Sequence, residues 1–285
     1  MCAADVREIR GGFDLHTHSV CSDGTTAPAD IAREVASIGL RGFSLTDHDT
    51  VAGWDEARTA AGLARVEFLP GIELTTHTGD RSAHLLAYGP DPAHPALAAE
   101  LSLLRDSRGT RARAMADRLA KDFDLDWDDV FARAGGSVGR PHLADALVSA
   151  GYLPNRSEAF ATILSPRGAY YLPIYALDTI TAIGLVREAG GIPVLAHPAA
   201  ERQRSPFSAA ELAALAAAGL WGVELDHPEN RAEWIPELRA AARHLGLEVT
   251  GASDYHGAGK PNRLGECRSD VDLVARIRAE VATPN

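Results

Sequence analysis

Asp14-Leu15-His16-Thr17-His18 near the start of the chain and Ser253-Asp254-Tyr255-His256 near its end carry the side chains best suited to chemistry. In an extended chain, residues i and i+2 face the same side, so each segment aims two ligand-grade groups into one space. Between them lie Asp47-His48-Asp49, Gly71-Ile72-Glu73, His84 and Ala196-His197-Pro198, all placed where apolar runs stop. Imidazole and carboxylate together suit zinc, manganese or iron, whereas a structural thiolate site would need cysteines that this set lacks. The pattern is that of a multi-metal hydrolytic centre built from the ends of many strands.

The elements that must position these groups alternate in type. Residues 13–16, 42–46, 66–74 and 84–88 read as strands, the last two joined by a turn through Gly79-Asp80. Thr26-Ala27-Pro28 opens a helix that Gly39 ends, and 51–63 reads as a second helix. Later strands are expected at 192–196, 221–225 and 247–252, with helices at 178–189, after the capping-box spacing Ser208-Glu211, and at 231–244. Strands separated by helices imply a parallel sheet. Site residues follow at least six of the seven strands, which fits a barrel mouth better than the single switch point of an open sheet. Residues 96–176 contain no buried strand pattern, and Leu97, Leu101 and Leu104 mark a helical face. The expected organisation is a barrel of residues 1–95 and 177–285 with a helical insertion, or lid, at 96–176.

Bulk composition narrows the classes. The 285 residues are 46% apolar and 24% charged with a formal net charge of -11, which argues against coating nucleic acid or an anionic membrane. No stretch approaches the roughly 18 apolar residues of a membrane span, and MCAADVREIRGG lacks a signal core. Cys2, Cys21 and Cys267 form no CxxC pair and read as reduced thiols, so a cytoplasmic location is expected.

Taken together, Asp14-Leu-His16-Thr-His18-Ser19 with Ser22-Asp23-Gly24, Leu45-Thr46-Asp47-His48-Asp49, Gly71-Ile-Glu73, Leu195-Ala-His197-Pro198 and Ser253-Asp254-Tyr-His256 resemble the motifs of the PHP (polymerase and histidinol phosphatase) family. Gly139-Arg140-Pro141-His142 matches the insertion motif of its stand-alone metal-dependent phosphoesterases. The resemblance implies an α/β fold, a distorted (β/α)7 barrel with a helical insertion over the mouth, and two or three divalent metal ions (Mn, Fe or Zn). It implies that His16, His18, Glu73 and Asp254 hold one metal, and that Glu73 bridges to a second held by His84 and His197. Asp23, His48 and His256 would form a third position, where some members carry a histidine in place of Asp23. His77 lies near His84, and His84 is preferred because it begins an apolar strand.

The expected reaction is in-line attack of hydroxide on phosphorus, with Glu73, His48, Asp254 and His256 as the candidate catalytic groups. The leaving group would take its proton from His48, His256 or water. Arg140 and His142 are the first candidates for substrate contact, against the plainer roles of helix-terminal salt bridge and helix cap. Lys260 and His227 are further candidates, while His94 and His244 read as surface residues. Between Arg105 and Lys121, six Lys/Arg face Asp106 and Asp117, either as a solvated helix face or as a basic rim that attracts phosphate. Cys21 is expected to be a small buried residue of its loop rather than a ligand. The expected substrate is a small phosphorylated molecule, a nucleotide first, with no membrane partner. Trimming of short RNA by a 5′-3′ exonuclease and a non-catalytic metal-binding module are the alternatives.

Overall fold

Runs of buried residues become strands, and their ends carry the polar groups. The computed structural model describes residues 11–134, 137–203 and 205–282. Strands β1 (Phe13–Thr17), β2 (Gly42–Leu45), β3 (Glu67–Thr78), β4 (Arg81–Tyr88), β5 (Leu177–Asp178), β6 (Ile192–Leu195), β7 (Gly222–Asp226) and β8 (Glu248–Gly251) form one sheet. Its order is β1-β2-β3-β4-β6-β7-β8, with the two-residue β5 paired to β3. Helices α1 (Pro28–Ser37), α2 (Trp54–Ala64), α3 (Pro95–Leu119), α4 (Trp127–Arg133), α5 (Arg140–Ser149) and α6 (Arg156–Ala161) precede β5. After it come α7 (Thr179–Glu188), α8 (Ala209–Ala217), α9 (Ile235–Leu245) and α10 (Val271–Val281). The expected α/β barrel is present.

The sheet curls until its ends meet. At the mouth, His18 N donates to Tyr255 O at 2.8 Å and Tyr255 N to His16 O at 3.3 Å, joining the end of β1 to the segment after β8. At the opposite end Ser269 is wedged between the same two strands. It exchanges backbone bonds with Phe13 (2.8 and 2.9 Å), and its hydroxyl lies 2.9 Å from both Gly251 N and Gly251 O. This wedge makes the barrel distorted rather than regular.

Three features depart from the expected alternation. The sheet is not wholly parallel: β4 runs antiparallel to both β3 and β6. Only Gly79 and Asp80 separate β3 from β4, and two residues make a hairpin, never a crossover. Gly79 has φ +56°, the first central position of a II′-like turn. The short β5 and the terminal α10 were also absent from the sequence pattern. Leu273, Val274 and Ile277 of α10 pack with Phe13, Tyr88, Ile192 and Trp221 and plug the end opposite the mouth. Cys21 is a part-exposed free thiol, but Cys267 is disulfide-bonded, which corrects the reading of three reduced thiols. No helix among the described residues is long and apolar enough to cross a membrane.

The helices between β4 and β5 divide their loyalties. Leu97, Leu101 and Leu104 in the first half of α3 belong to the core that also holds Leu74, Leu85, Leu195 and Val223 of the barrel. Ala112, Met115 and Leu119 in its second half join Val130, Leu143, Leu147 and Leu164 in a separate core. One long helix is thus shared by the two bodies.

Asp14 is the main clamp between the two ends of the sheet. Its carboxylate accepts from Ser253 N (3.0 Å), Ser253 Oγ (2.5 Å) and Gly265 N (2.7 Å), and burial pushes its pKa up to about 6. Asp14→Ala leaves these buried donors without an acceptor. Because each such group costs ~1–3 kcal/mol, the variant is expected to lose about 3 kcal/mol of stability in urea unfolding. A loss below about 0.5 kcal/mol would show that the seam is held by other bonds.

Candidate metal centre

Glu73 stands in the middle of β3 with both carboxylate oxygens turned into the mouth. Its Oε2 lies 3.3 Å from His16 Nε2, 3.2 Å from His18 Nε2 and 3.1 Å from His48 Nδ1. Its Oε1 lies 2.7 Å from His84 Nδ1 and 3.0 Å from His197 Nε2. One carboxylate therefore faces five imidazoles, one oxygen towards each of two groups. His84, at the register of Thr75, is the histidine of this turn that reaches Glu73; His77 is spent on Gly79 O at 3.0 Å. Asp254 Oδ1 closes the first group, at 3.5 Å from His16 Nε2 and 3.3 Å from His18 Nε2. Asp23, His18, His48 and His256 form an adjoining buried cluster whose ligand atoms lie within 4.8 Å of one another.

The donor set fits divalent cations. His16 and His18 bring Nε2 atoms to 3.1 Å, a contact in which two imidazole nitrogens can share at most one proton. His48 Nδ1 is buried with no hydrogen-bond partner among the described residues. All the atoms are nitrogen or carboxylate oxygen, a set that manganese, iron and zinc accept.

The buried carboxylates are held ionised, while the imidazoles divide. Burial pushes the Glu73 carboxyl up, but His84, His48 and His16 outweigh it and hold its pKa well below the usual range. Asp23 and Asp254 are likewise held well down against burial, by His256 and His48 and by Lys260 and His16 respectively. Burial and the neighbouring Arg202 guanidinium lower His197 to about 3, which keeps that imidazole neutral. His18 moves the other way, up to about 9, because Asp254 and Glu73 outweigh its burial.

A second tier of carboxylates fixes the candidate ligands. Glu224, fully buried on β7, sits 3.1 Å from His16 Nδ1, so that Nε2 is the nitrogen turned inward, and accepts from His197 N at 3.0 Å. Irregular pairing falls between Asp14 and Thr17 and between Glu224 and Asp226, so both strands are re-aimed where this contact is made. Asp47 accepts from Ser19 N (2.8 Å), Ser19 Oγ (2.6 Å) and Ser22 Oγ (2.5 Å), which shapes the loop carrying Asp23. Asp49 accepts from Thr75 N and Oγ1 (both 2.7 Å) and from Arg108 Nε (2.6 Å). Asp49, His197 and Asp254 have φ of 56°, 28° and 54°, a left-handed backbone that non-glycine residues hold only under surrounding constraint.

The expected substrate contacts are placed unequally. The Arg140 guanidinium makes no salt bridge among the described residues; it lies over Phe160 at 4.8 Å and Tyr171 at 5.8 Å and donates to Leu164 O at 3.5 Å. His142 caps α5, its Nδ1 accepting from Gly139 N at 3.0 Å, and burial lowers its pKa. Lys260 Nζ contacts Asp254 Oδ2 at 2.5 Å and Glu229 Oε1 at 2.9 Å. His227 has no exposed side-chain surface; its Nδ1 accepts from Glu229 N at 3.0 Å and its Nε2 faces Asp254 Oδ2 at 3.5 Å. That places His227 against the candidate ligand Asp254. The basic stretch splits: Arg113 pairs with Asp117 on the exposed face, while Arg105 and Arg108 turn inward to Asp49.

Sequence reading passed over Glu224, Arg202 and Arg156, and took Arg108 only as one of the basic stretch between Arg105 and Lys121. Glu224 had a signal, a carboxylate inside the apolar run Gly222–Asp226. The arginines had none, because their partners are remote. Arg156 is the clearest case: it grips Asp145 and donates Nη1 to Asp23 O at 2.7 Å, tying α6 to the loop of a candidate ligand. Glu224→Gln is expected to keep the fold and to weaken metal binding about 10- to 100-fold, read by titration of the chelator-stripped protein. Unchanged affinity would remove Glu224 from the support of His16.

Comparison with known proteins followed the same lines. The PHP domain model matches residues 14–123. A 5′-3′ exoribonuclease of Haemophilus influenzae is 31% identical over 266 residues, 93% of this chain and 96% of that protein. A 3′,5′-nucleoside bisphosphate phosphatase of Chromobacterium violaceum is 31% identical over 271 residues, 93% and 94% of the two chains. A crystal structure of a candidate metal-dependent phosphoesterase from Bifidobacterium adolescentis superposes with a TM-score of 0.93 at 39% identity, covering 98% of each chain. The chain belongs to the PHP family.

Proposed function

We propose that this PHP-family chain is a metal-dependent phosphoesterase that hydrolyses phosphate esters of nucleotides or related small phosphates. The observation that carries the reading is the division of Glu73, one oxygen facing His16, His18 and His48 and the other facing His84 and His197. His16, His18, Glu73 and Asp254 would hold one cation, Glu73, His84 and His197 a second, and Asp23, His48 and His256 a third. Bound there, divalent cations such as Mn, Fe or Zn lower the pKa of water and neutralise phosphoryl oxygens.

The chain's own residues do the rest. Glu224 and Arg202 fix the ring orientations of His16 and His197. His227 and Lys260 both meet Asp254 at Oδ2, leaving Oδ1 turned to His16 and His18. His256 Nδ1 donates to Asp254 O at 2.8 Å, so its Nε2, 3.3 Å from Asp23 Oδ1, is the nitrogen turned to the third position; the proton for the leaving alkoxide would come from His48, His256 or water. Arg140 at the start of α5 contacts the phosphoryl group, and His142 stabilises the turn that carries it. The helices of 96–176 act as a lid over the mouth, joined to it by Arg108 on Asp49 and Arg156 on Asp23.

The second reading, stepwise 5′-3′ trimming of short RNA, draws on the Haemophilus relative. Phosphate release would be measured from adenosine 3′,5′-bisphosphate, AMP, phosphoserine and a 5′-phosphorylated RNA pentamer, using stripped protein with Mn²⁺, Zn²⁺ or Fe²⁺ added back. Release from the small nucleotides with the pentamer intact is the expected result; mononucleotides appearing from the pentamer would favour the exonuclease. Glu73→Gln should lower kcat at least about 100-fold. Wild-type kcat at full metal content in that variant would overturn the assignment.

A further inference from the structure

The three proposed cation positions do not stand on equal footing. His16, Glu73 and His84 lie within β1, β3 and β4, and Glu224 of β7 braces both His16 and the backbone of His197. Asp23, His48 and His256 instead lie on the segments after β1, β2 and β8. Ligands carried on loops keep their geometry only when packing and hydrogen bonds from outside the loop fix it.

The helical insertion supplies those bonds to all three loops. From α3, Arg105 Nη1 donates to Asp49 O at 3.1 Å and Arg108 Nε to Asp49 Oδ2 at 2.6 Å, beside His48. From α6, Arg156 Nη1 donates to Asp23 O at 2.7 Å. The same guanidinium lies against Gly259, three residues after His256. A Cβ there would stand 2.1 Å from Arg156 Nη1 and 2.8 Å from its Cζ. Thr25 then stitches the two loops under it: Thr25 N donates to His256 O at 3.1 Å, and Ala258 N to Thr25 Oγ1 at 2.7 Å.

Arg156 is only 7% exposed, and a buried guanidinium must satisfy its donors. Nε and Nη2 go to the two oxygens of Asp145 on α5, inside the insertion, while Nη1 reaches outside it to the Asp23 loop. Leu143, Leu147 and Ala159 of α5 and α6 belong to the core that Met115 and Leu119 share, separate from the barrel core. The Arg156–Asp145 pair is therefore part of the insertion, and its third donor is a bond between the insertion and a candidate ligand loop.

We propose that the third cation position is completed by the helical insertion, with Arg156 as the positioning residue for Asp23 and His256, so that cation binding there and docking of α5 and α6 on the mouth strengthen each other. The two positions on Glu73 are completed by the barrel. Linkage makes the effect reciprocal: docking tightens the cation by the same factor as the cation tightens docking. The inference rests on the metal-dependent reading above.

The test is Mn²⁺ titration of the chelator-stripped full chain by calorimetry, with bound metal counted by elemental analysis. Wild type should take two equivalents and then a third. Arg156→Met should weaken the third about 10- to 100-fold and leave the first two unchanged. Gly259→Ala, which displaces the guanidinium without altering it, should do the same. Arg113→Met, which breaks the exposed pair with Asp117 on the same insertion, should keep all three affinities. The third equivalent should also slow amide exchange over residues 140–161 in wild type and not in Arg156→Met. Thermal melts identify misfolding, and Gly259→Ala decides where Arg156→Met does not fold. Wild-type affinity for the third cation in both variants, or equal weakening at all three positions, would overturn the proposal. A wild type that binds two cations only, with phosphate release intact, sinks this proposal and leaves the phosphoesterase reading standing. Binding of no cation sinks both.

Discussion

A carboxylate with almost no exposure to water must be surrounded by positive charge or by hydrogen-bond donors, and Glu73 imposes that demand on the whole barrel mouth. Its neighbours come from β1, the loop after β2, β4 and the loop after β6. Each of those segments must end at a fixed height and angle. Protons alone serve such a cluster badly, since imidazoles forced to charge repel one another. Divalent cations serve it well, because one ion satisfies several nitrogens and a carboxylate oxygen at once. The chemistry of the centre and the geometry of the barrel are thus one requirement.

Behind the ligands stand four more buried carboxylates, Asp14, Asp47, Asp49 and Glu224, none of them facing the mouth alone. Each is saturated by backbone N–H groups, hydroxyls, a histidine or an arginine. Buried ion pairs are weak contributors to stability, so their value lies in orientation. Glu224 selects the nitrogen that His16 presents. Asp49 links His48 to α3, and Asp14 closes the seam between β1 and the chain after β8. The left-handed backbone at Asp49, His197 and Asp254 is tolerated because these bonds over-determine it.

The helices between β4 and β5 are coupled to the centre by arginines rather than by apolar packing alone. Arg108 and Arg156 reach from α3 and α6 to Asp49 and to the Asp23 carbonyl. Close approach is enforced at Gly259, where a Cβ would stand 2.1 Å from Arg156 Nη1. Movement of these helices and the geometry of the Asp23 loop cannot be independent.

Much of this was legible in sequence because it is local. Strand runs ending in histidine or carboxylate singled out His16, His18, His48, Glu73, His197, Asp254 and His256, which the fold brings close together, and alternation of strand and helix set the barrel class. Glycine with aspartate at 79–80 marked a turn, yet its consequence, an antiparallel β4 inside a parallel plan, follows only when both neighbours of β4 are known. Contacts between remote segments decided the rest: His84 over His77, Glu224 behind His16, His227 behind Asp254, and Arg111 and Arg140 over Tyr171. Side-chain type and period are written in the chain, and they fixed which chemistry is present. Which nitrogen faces which oxygen depends on how strand ends from opposite parts of the chain are brought together. Burial and register, properties of the closed barrel alone, settle that.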